Sequence, residues 1–171
     1  MTKVGRLLVV VAFVTCAFDA NNQSKTNDAQ VNIPPKGISV LKTTLRGKHI
    51  RVVLNTTQIE IGASQPRVEE QLTNCLYTRR PCSQVQNVSI WVGEKRLVIP
   101  RSVFADCADL NVMYLVNADK FYELTLSGGD GAESYLVKVY FDSDRIVRRE
   151  VYGGESEKLY ETSTYMPVVV D

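Results

Sequence analysis

Residues 120–165 read KFYELTLS, GGDGAE, SYLVKVYF, DSD, RIVRREVY, GGESEK and LYETSTY in unbroken succession. In the longer segments apolar and polar side chains alternate, and in the second of them one face carries Tyr135, Val137, Val139 and Phe141. Because successive side chains of a strand point to opposite faces, this alternation predicts strands with one face on a core. The short segments rich in Gly and Asp predict tight turns, which join antiparallel neighbours. The stretch therefore predicts a four-stranded β-meander.

The chain before the meander contains shorter runs of the same kind. Two hairpins are predicted, at 38–54 and 88–99, and a further strand at 112–116 leads into the meander. The apolar period changes at 65–76 and again at 100–110, where spacings of three and four residues predict short helices. We therefore predict a mainly β fold with a minor α+β character. It would be an antiparallel β-meander within a sandwich or curled sheet, with one or two short helices.

The first 20 residues have the features of an export signal. Lys3 and Arg6 precede an uninterrupted apolar run at 7–14, which is too short for a membrane span of about 20 residues. The polar stretch that follows ends in two prolines and predicts a disordered tether. The predicted organisation is a cleaved export signal at 1–20, a tether at 21–36 and a single antiparallel β-rich domain at 37–171.

The end of the leader can be interpreted in two ways. Cleavage after Ala17 leaves Thr15 and Ala17 at the small-residue positions of an ordinary export signal. Alternatively, lipidation of Cys16 would anchor the protein as in bacterial lipoproteins, although Thr15 departs from the usual Gly, Ala or Ser. Both interpretations predict an exported protein of the periplasm or outer envelope, which contacts the membrane only if it carries a lipid anchor.

Three cysteines lie beyond the leader. Cys75 and Cys82 flank a short segment and are predicted to form a disulfide, as exported domains usually pair their thiols. Cys107 is then predicted to be a buried apolar thiol. A catalytic pair of Cys107 with His49, the only histidine, is disfavoured, and a single histidine also argues against a zinc site.

No motif of a known catalytic site or cofactor is present in the sequence. It has no G-x-S-x-G nucleophile elbow and no phosphate-binding glycine loop before a helix. The loop at 128–134 contains Asp130 and Glu133, whose oxygens suit calcium, but a plain Gly-Asp-Gly turn is the favoured interpretation. The sequence therefore predicts no bound metal and no cofactor.

One cluster of basic and aromatic residues is the candidate binding surface. It comprises Tyr140, Arg145, Arg148, Arg149 and Tyr152. Strict alternation along the third meander strand sets Arg145 and Arg149 against Ile146 and Arg148. Acidic residues nearby in the sequence favour cross-strand ion pairs on a solvated face. The alternative is a recognition surface for an acidic partner, since Tyr and Arg are frequent at the centres of interfaces.

Charge and composition narrow the classes of function. The formal net charge is +1, and subtracting Lys3 and Arg6 from the 20 basic residues leaves 18 against 19 acidic ones. A near-neutral domain is a poor candidate for binding nucleic acid. We predict an exported, non-catalytic binding module of inhibitor or immunity type, with a protein partner in the envelope. The alternatives are a structural envelope lipoprotein tethered through Cys16 and an enzyme with an unrecognised carboxylate site.

Overall fold

The computed structural model describes residues 29–59, 82–129, 131 and 134–167, which form ten β-strands in two antiparallel sheets. The fold is mainly β, as predicted. In chain order the strands are β1 (Ala29–Asn32), β2 (Gly37–Leu45), β3 (Lys48–Ile59), β4 (Cys82–Val92), β5 (Lys95–Arg96), β6 (Leu110–Ala118), β7 (Phe121–Gly128), β8 (Tyr135–Phe141), β9 (Ile146–Gly153) and β10 (Leu159–Thr164).

The larger sheet contains the predicted meander. Its order is β1-β6-β7-β8-β9-β10, so that the four meander strands are consecutive neighbours, and every pairing is antiparallel. The side chains of β8 that were assigned to the core are all buried. Gly129 follows β7 with a φ of 69°, a conformation in which glycine is not strained. The prediction of the meander is therefore confirmed.

The smaller sheet consists of β2, β3, β4 and β5 in that order. Its two hairpins were both predicted, although β3 and β4 extend further than their apolar runs. A turn at Arg46 and Gly47 joins the first pair of strands, and a turn at Gly93 and Glu94 joins the second. Three of the four strands are therefore long enough to present a continuous outer face.

Both sheets turn one face towards a single core. Buried apolar side chains alternate with more exposed ones, as at Val52 and Leu54 in β3 and at Leu115 in β6. These side chains belong to one continuous cluster with members from both sheets. A fully buried Val or Leu side chain stabilises a fold by about 1.5–3 kcal/mol. The opposite faces of the two sheets are left as the broad surfaces of the molecule.

β1 lies inside the stretch that was predicted to be a disordered tether. It pairs with β6, and Val31 lies opposite Met113. Ile33, just beyond the strand, is buried, and its N–H donates to the Asn111 carbonyl oxygen at 2.9 Å. The polar composition hid this element, because two apolar side chains at alternate positions are enough to attach an edge strand to the core.

The helix predicted at 100–110 is replaced by a single 3₁₀ turn at Arg101–Val103. Beyond this turn the backbone bonds to a neighbouring strand instead of continuing a helix. The Val85 N–H donates to the Cys107 carbonyl oxygen at 3.1 Å. The helical spacing of the apolar residues in this segment therefore marks the buried side of a loop, which crosses the end of the core.

A β-bulge in β9 changes the predicted faces of that strand. Phe141 pairs with Ile146, whereas the preceding residue of β8 pairs with Arg148, so Val147 is the extra residue. An extra residue shifts the alternation by one position. Ile146 and Arg149 consequently both lie on the core face, and each is 2% exposed. Strict alternation had separated them.

Four sequence predictions concern residues outside the described ranges. They are the export signal with Cys16, the helix at 65–76, the Cys75 partner of the predicted disulfide, and the loop residues Asp130 and Glu133. Cys82 lies at the start of β4 and is fully buried. These four stay predictions.

Candidate functional site

Three of the five residues predicted for binding lie together on the outer face of the six-stranded sheet. Tyr140 is directly opposite Arg148 in the pairing of β8 with β9, and Tyr152 is opposite Leu136 on the same face. The Arg148 guanidinium lies over the Tyr140 ring, 4.2 Å from its centroid. We call this group the Tyr140 cluster, which comprises Glu123, Lys138, Tyr140, Arg148, Glu150 and Tyr152.

The charges of the Tyr140 cluster are balanced within it. Arg148 Nε lies 3.0 Å from Glu150 Oε1, and the Tyr152 hydroxyl donates to Glu150 Oε2 at 2.7 Å. Lys138 Nζ lies 3.6 Å from Glu123 Oε1. Two cations thus face two carboxylates, and both carboxylate side chains are mostly buried. The Lys138–Glu123 pair joins β8 to β7 and is a cross-strand ion pair of the kind that the sequence favoured, whereas the Arg148–Glu150 pair lies within β9.

The two tyrosine hydroxyls of the Tyr140 cluster are held in the protonated form. Burial raises the pKa of Tyr140, and the neighbouring Glu123 carboxylate raises it further. The Tyr152 hydroxyl donates a hydrogen bond to Glu150, and this bond raises the pKa of Tyr152. Both groups are therefore hydrogen-bond donors around neutral pH, and neither is poised to act as a base.

Arg149 is on the opposite face of β9 from the Tyr140 cluster. Its guanidinium donates to both carboxylate oxygens of Asp106, at 2.7 and 2.6 Å, and to Glu161 Oε1 at 3.0 Å. Its Nε donates to the Val103 carbonyl oxygen at 3.1 Å. Burial opposes the charged form, but Asp106, together with Cys107 and Glu161, outweighs it and the pKa of Arg149 is raised. Arg149 therefore fastens the loop at 101–109 to the sheet and presents no free donor at the surface.

Arg145 precedes β9, and its side chain bonds to the segment that follows β10. Its Nη1 donates to the Tyr165 carbonyl oxygen at 2.8 Å, and the Tyr165 N–H donates to the Val147 carbonyl oxygen at 2.9 Å. These bonds attach the segment after β10 to the start of β9. Three of the five predicted residues are thus on the outer face. Arg149 is in the core, and Arg145 is just before the start of β9.

The outer face of the four-stranded sheet carries a second group of basic and aromatic residues, which the sequence reasoning did not assemble. Strand register places one residue from each strand in a single row, namely Lys42, Arg51, Trp91 and Arg96. Directly paired residues project to the same side of a sheet, so all four share the outer face. We call this row the Trp91 face.

The Trp91 ring organises the two arginines that flank it. The Arg51 guanidinium lies 3.8 Å from the ring centroid, and that of Arg96 lies 5.4 Å from it. Both distances fall within the range of a cation–π interaction, which contributes about 0.5–1 kcal/mol at an exposed site. Arg96 is further restrained because its Nη2 donates to Ser89 Oγ at 2.8 Å. The guanidinium groups are therefore restrained near the ring before any partner binds.

The positive charges of the Trp91 face have no carboxylate partners among residues 29–59, 82–129, 131 and 134–167. Lys42, Arg51 and Arg96 form no ion pair there, in contrast to Lys95, which pairs with Asp144 at the edge. The face borders an open depression of about 600 Å³, and Glu94 is the one carboxylate that the described residues contribute to its lining. This surface is therefore locally positive, although the chain as a whole is near neutral.

Exposed aliphatic side chains adjoin the Trp91 face. Ile38 and Val40 are 67% and 42% exposed on β2, and Val40 lies opposite Val53 in the row beside the basic one. Lys42 follows at the next outward position of the same strand. The surface thus combines fixed cations, one indole ring and a small apolar strip. This combination is typical of the centres of protein interfaces.

One sequence signal could have indicated this surface. Outward positions of β2 and β3 carry Lys42 and Arg51 where the inward positions are apolar. Their proximity to Trp91 depends on the register between strands about 40 residues apart in the chain. No local pattern fixes that register, and periodicity alone therefore missed the site.

The two residues considered for a catalytic pair, Cys107 and His49, lie in different surroundings. Cys107 is fully buried, and burial, aided by the Asp106 carboxylate, raises its pKa from 9.0 to about 12. His49 lies on the outer face and bonds to Thr44 Oγ1 at 2.9 Å. Within the described ranges, no three His, Cys, Asp or Glu residues are grouped to hold a metal ion. Nor is any helix in those ranges long and apolar enough to cross a membrane.

The relationship of the chain to known proteins was tested in three ways. No protein-family model, curated protein or solved structure matches it significantly. The geometry of its surfaces is therefore the basis for a functional proposal.

Proposed function

We propose that this protein is an exported binding module of the bacterial envelope or periplasm, which engages a protein partner through the Trp91 face. The observation that carries the proposal is the row of three cations around Trp91, none of which has an ion-pair partner in the described part of the chain. Fixed Arg and Trp side chains are the residue types that most often dominate binding energy at interfaces.

The Trp91 face is favoured over the Tyr140 cluster for a physical reason. A partner that bound the Tyr140 cluster would have to displace ion pairs between Arg148 and Glu150 and between Lys138 and Glu123. At the Trp91 face the cations are attracted to a partner without first breaking such pairs. The restraint of Arg51 and Arg96 by the ring also lowers the side-chain entropy that binding would otherwise remove.

A non-catalytic role agrees with a surface that is built on paired strands. Arg51 and Trp91 belong to β3 and β4, the two central strands of the smaller sheet, which support the surface from below. An inhibitor or immunity-type protein uses such a preformed surface to occupy a partner and needs no reactive group. The buried groups Cys107 and Tyr135 both have a raised pKa and are held in the unreactive protonated state.

The decisive experiment for this function is partner capture with matched charge variants. The exported protein would be immobilised and exposed to envelope extract of the source cells. We expect a specific protein to be retained by the wild type and lost with the double variant Arg51→Glu, Arg96→Glu. The control is Lys158→Glu, which reverses an exposed charge in the turn before β10. Retention that is equal in all three proteins, or absent in the wild type, would contradict the proposal.

The export part of the proposal rests on the leader and needs its own test. We expect the mature protein to lack Met1 and to be recovered outside the cytoplasm. Replacement of Cys16 by serine would separate the two routes, because a lipid-anchored protein would move from the membrane to the soluble fraction. A full-length chain retained in the cytoplasm would overturn the assignment of export.

A further inference from the structure

The length of the row of cations on the Trp91 face corresponds to that of a short extended peptide. The row crosses four strands, and neighbouring strands lie about 4.8 Å apart, so it spans roughly 14 Å. An extended polypeptide advances about 3.3 Å per residue, so four or five of its residues cover this distance. Side chains at alternate positions of such a segment point to the same side and could reach successive cations.

The arginines of the row are oriented for carboxylates. Trp91 covers one flat face of the Arg51 guanidinium at 3.8 Å, which leaves the N–H groups at its edge free for acceptors. The Arg51 guanidinium makes no hydrogen bond to any of the described residues, whereas that of Arg96 uses one N–H group on Ser89. A planar guanidinium with free edges favours bidentate carboxylate binding. Since Arg51 stacks on the indole, that ring face is not open to a base or a sugar.

The aliphatic strip distinguishes among polyanions. Ile38 and Val40 are exposed beside the cations on β2. A polynucleotide or a sulfated polysaccharide offers few aliphatic groups to this strip, whereas a peptide can place Leu or Val on it. Burial of such side chains contributes about 25 cal/mol for each Å² removed from water.

From these contacts we infer that the Trp91 face binds an extended, acid-rich segment of the partner protein. Carboxylates of the segment pair with Lys42, Arg51 and Arg96, and an interspersed aliphatic side chain packs on Ile38 and Val40. This inference rests on the proposed function, which it deepens by naming the chemistry of the partner.

The test uses Trp91 itself as the reporter, since it is the only tryptophan in the chain. Its fluorescence would be titrated with a short peptide that contains both Glu and Leu. Comparison titrations would use a Glu-only peptide, the same mixed peptide with Lys in place of Glu, heparin and a single-stranded oligonucleotide. We expect the mixed acidic peptide to bind most tightly and the Lys peptide not to bind. Added salt should weaken the binding.

Variants assign the binding to this face. Arg51→Glu should lower the affinity for the mixed peptide by about tenfold or more, whereas Lys158→Glu should leave this affinity unchanged. Val40→Ser should lower the affinity for the mixed peptide but not the affinity for the Glu-only peptide. Equal binding of heparin or oligonucleotide in place of the peptide would overturn the inference, as would an affinity that Arg51→Glu leaves intact.

The failure of this inference is distinguishable from the failure of the proposed function. If the capture of a partner depends on Arg51 and Arg96 but no acidic peptide binds, the function stands and the acidic segment is rejected. If acidic peptides bind at the Trp91 face but no partner is captured, the chemistry of the site stands and the function as a protein-binding module is rejected.

Discussion

Arg149 is a charged residue that holds the loop at 101–109 against the sheet. It is 2% exposed and contacts Asp106, Glu161 and the backbone of Val103. Such an arrangement offsets the penalty for removing the guanidinium from water, because each carboxylate favours the charged form. Loss of the guanidinium would remove its two hydrogen bonds to the Asp106 carboxylate and its donor to the Val103 carbonyl.

We therefore expect Arg149→Met to lower the free energy of unfolding by about 2–4 kcal/mol. Breaking a fully buried ion pair typically costs about 3–5 kcal/mol, and partial exposure of the Asp106 side chain reduces that figure. The matched control, Arg51→Met on the exposed Trp91 face, should cost less than about 1 kcal/mol. Urea melts of both variants check the difference, and equal losses would show that Arg149 is not a structural residue.

Cys107, in the same loop, makes the free energy of unfolding depend on pH in the alkaline range. Burial raises the pKa of its thiol to about 12 in the folded chain, above the ordinary value of 9.0. Between these two values the unfolded chain releases a proton that the folded chain retains. Unfolding is therefore favoured as pH rises through this window, and the stabilisation is fully present only below it.

The expected result is a fall in unfolding free energy from about pH 9 upwards, with a contribution from Cys107 of up to about 1.4 kcal/mol per pH unit. Cys107→Ala removes this contribution, so its urea stability should decline less steeply over the same range. The slopes are compared rather than the absolute values, because the substitution also removes buried volume. Parallel curves for the two proteins would mean that the thiol is not shielded from water.

β8 is the element on which the register of the larger sheet can be tested. Val137 is fully buried and lies between Leu126 and Val151 on the neighbouring strands. Val137→Asp would place a carboxylate among apolar groups and should cost more than about 3 kcal/mol. Val139 is the weaker test position, because it lies opposite Arg149, which could pair with a new carboxylate.

The control for β8 is Lys138→Gln. Lys138 is on the outer face and its ammonium is 3.6 Å from Glu123, so its removal should cost less than about 1 kcal/mol. Both variants would be measured by urea denaturation. If Lys138→Gln proved more damaging than Val137→Asp, the assigned inner and outer faces would have to be exchanged.

The elements differ in how far the sequence reveals them. The meander was predictable because its strands follow one another and its faces are marked by side chains two residues apart. The loop at 101–109 was not, because its helical spacing of apolar residues reflects contacts with β4 and Arg149 rather than a helix. The bulge at Val147 was missed for a similar reason, since an extra residue leaves no local signal and yet moves Arg149 into the core.

The candidate site shows the same limit over longer distances. Tyr140, Arg148 and Tyr152 were predicted together because they are close in sequence, and the sheet does bring them together. Lys42, Arg51 and Trp91 come from strands whose pairing only the folded sheet defines. Their charges could be counted in the sequence, but their common row could not.

The two outer faces of the molecule differ in electrostatic character. The Tyr140 cluster neutralises its own charges through Glu123 and Glu150. The Trp91 face holds three cations that are not neutralised by ion pairs in the described part of the chain. A near-neutral protein can therefore still present one side to an acidic partner, which would be attracted most strongly at low ionic strength.

Quenching of the single tryptophan by ions of opposite charge measures this local field in the protein itself. Iodide and caesium would be compared at equal ionic strength, with Arg51→Glu, Arg96→Glu as the altered protein and Lys158→Glu as the control. If the Trp91 face attracts anions, the ratio of iodide to caesium quenching should exceed that of free N-acetyltryptophanamide several-fold, and the double variant alone should lose this excess. A wild-type ratio equal to that of the free indole compound, or below it, would contradict the account.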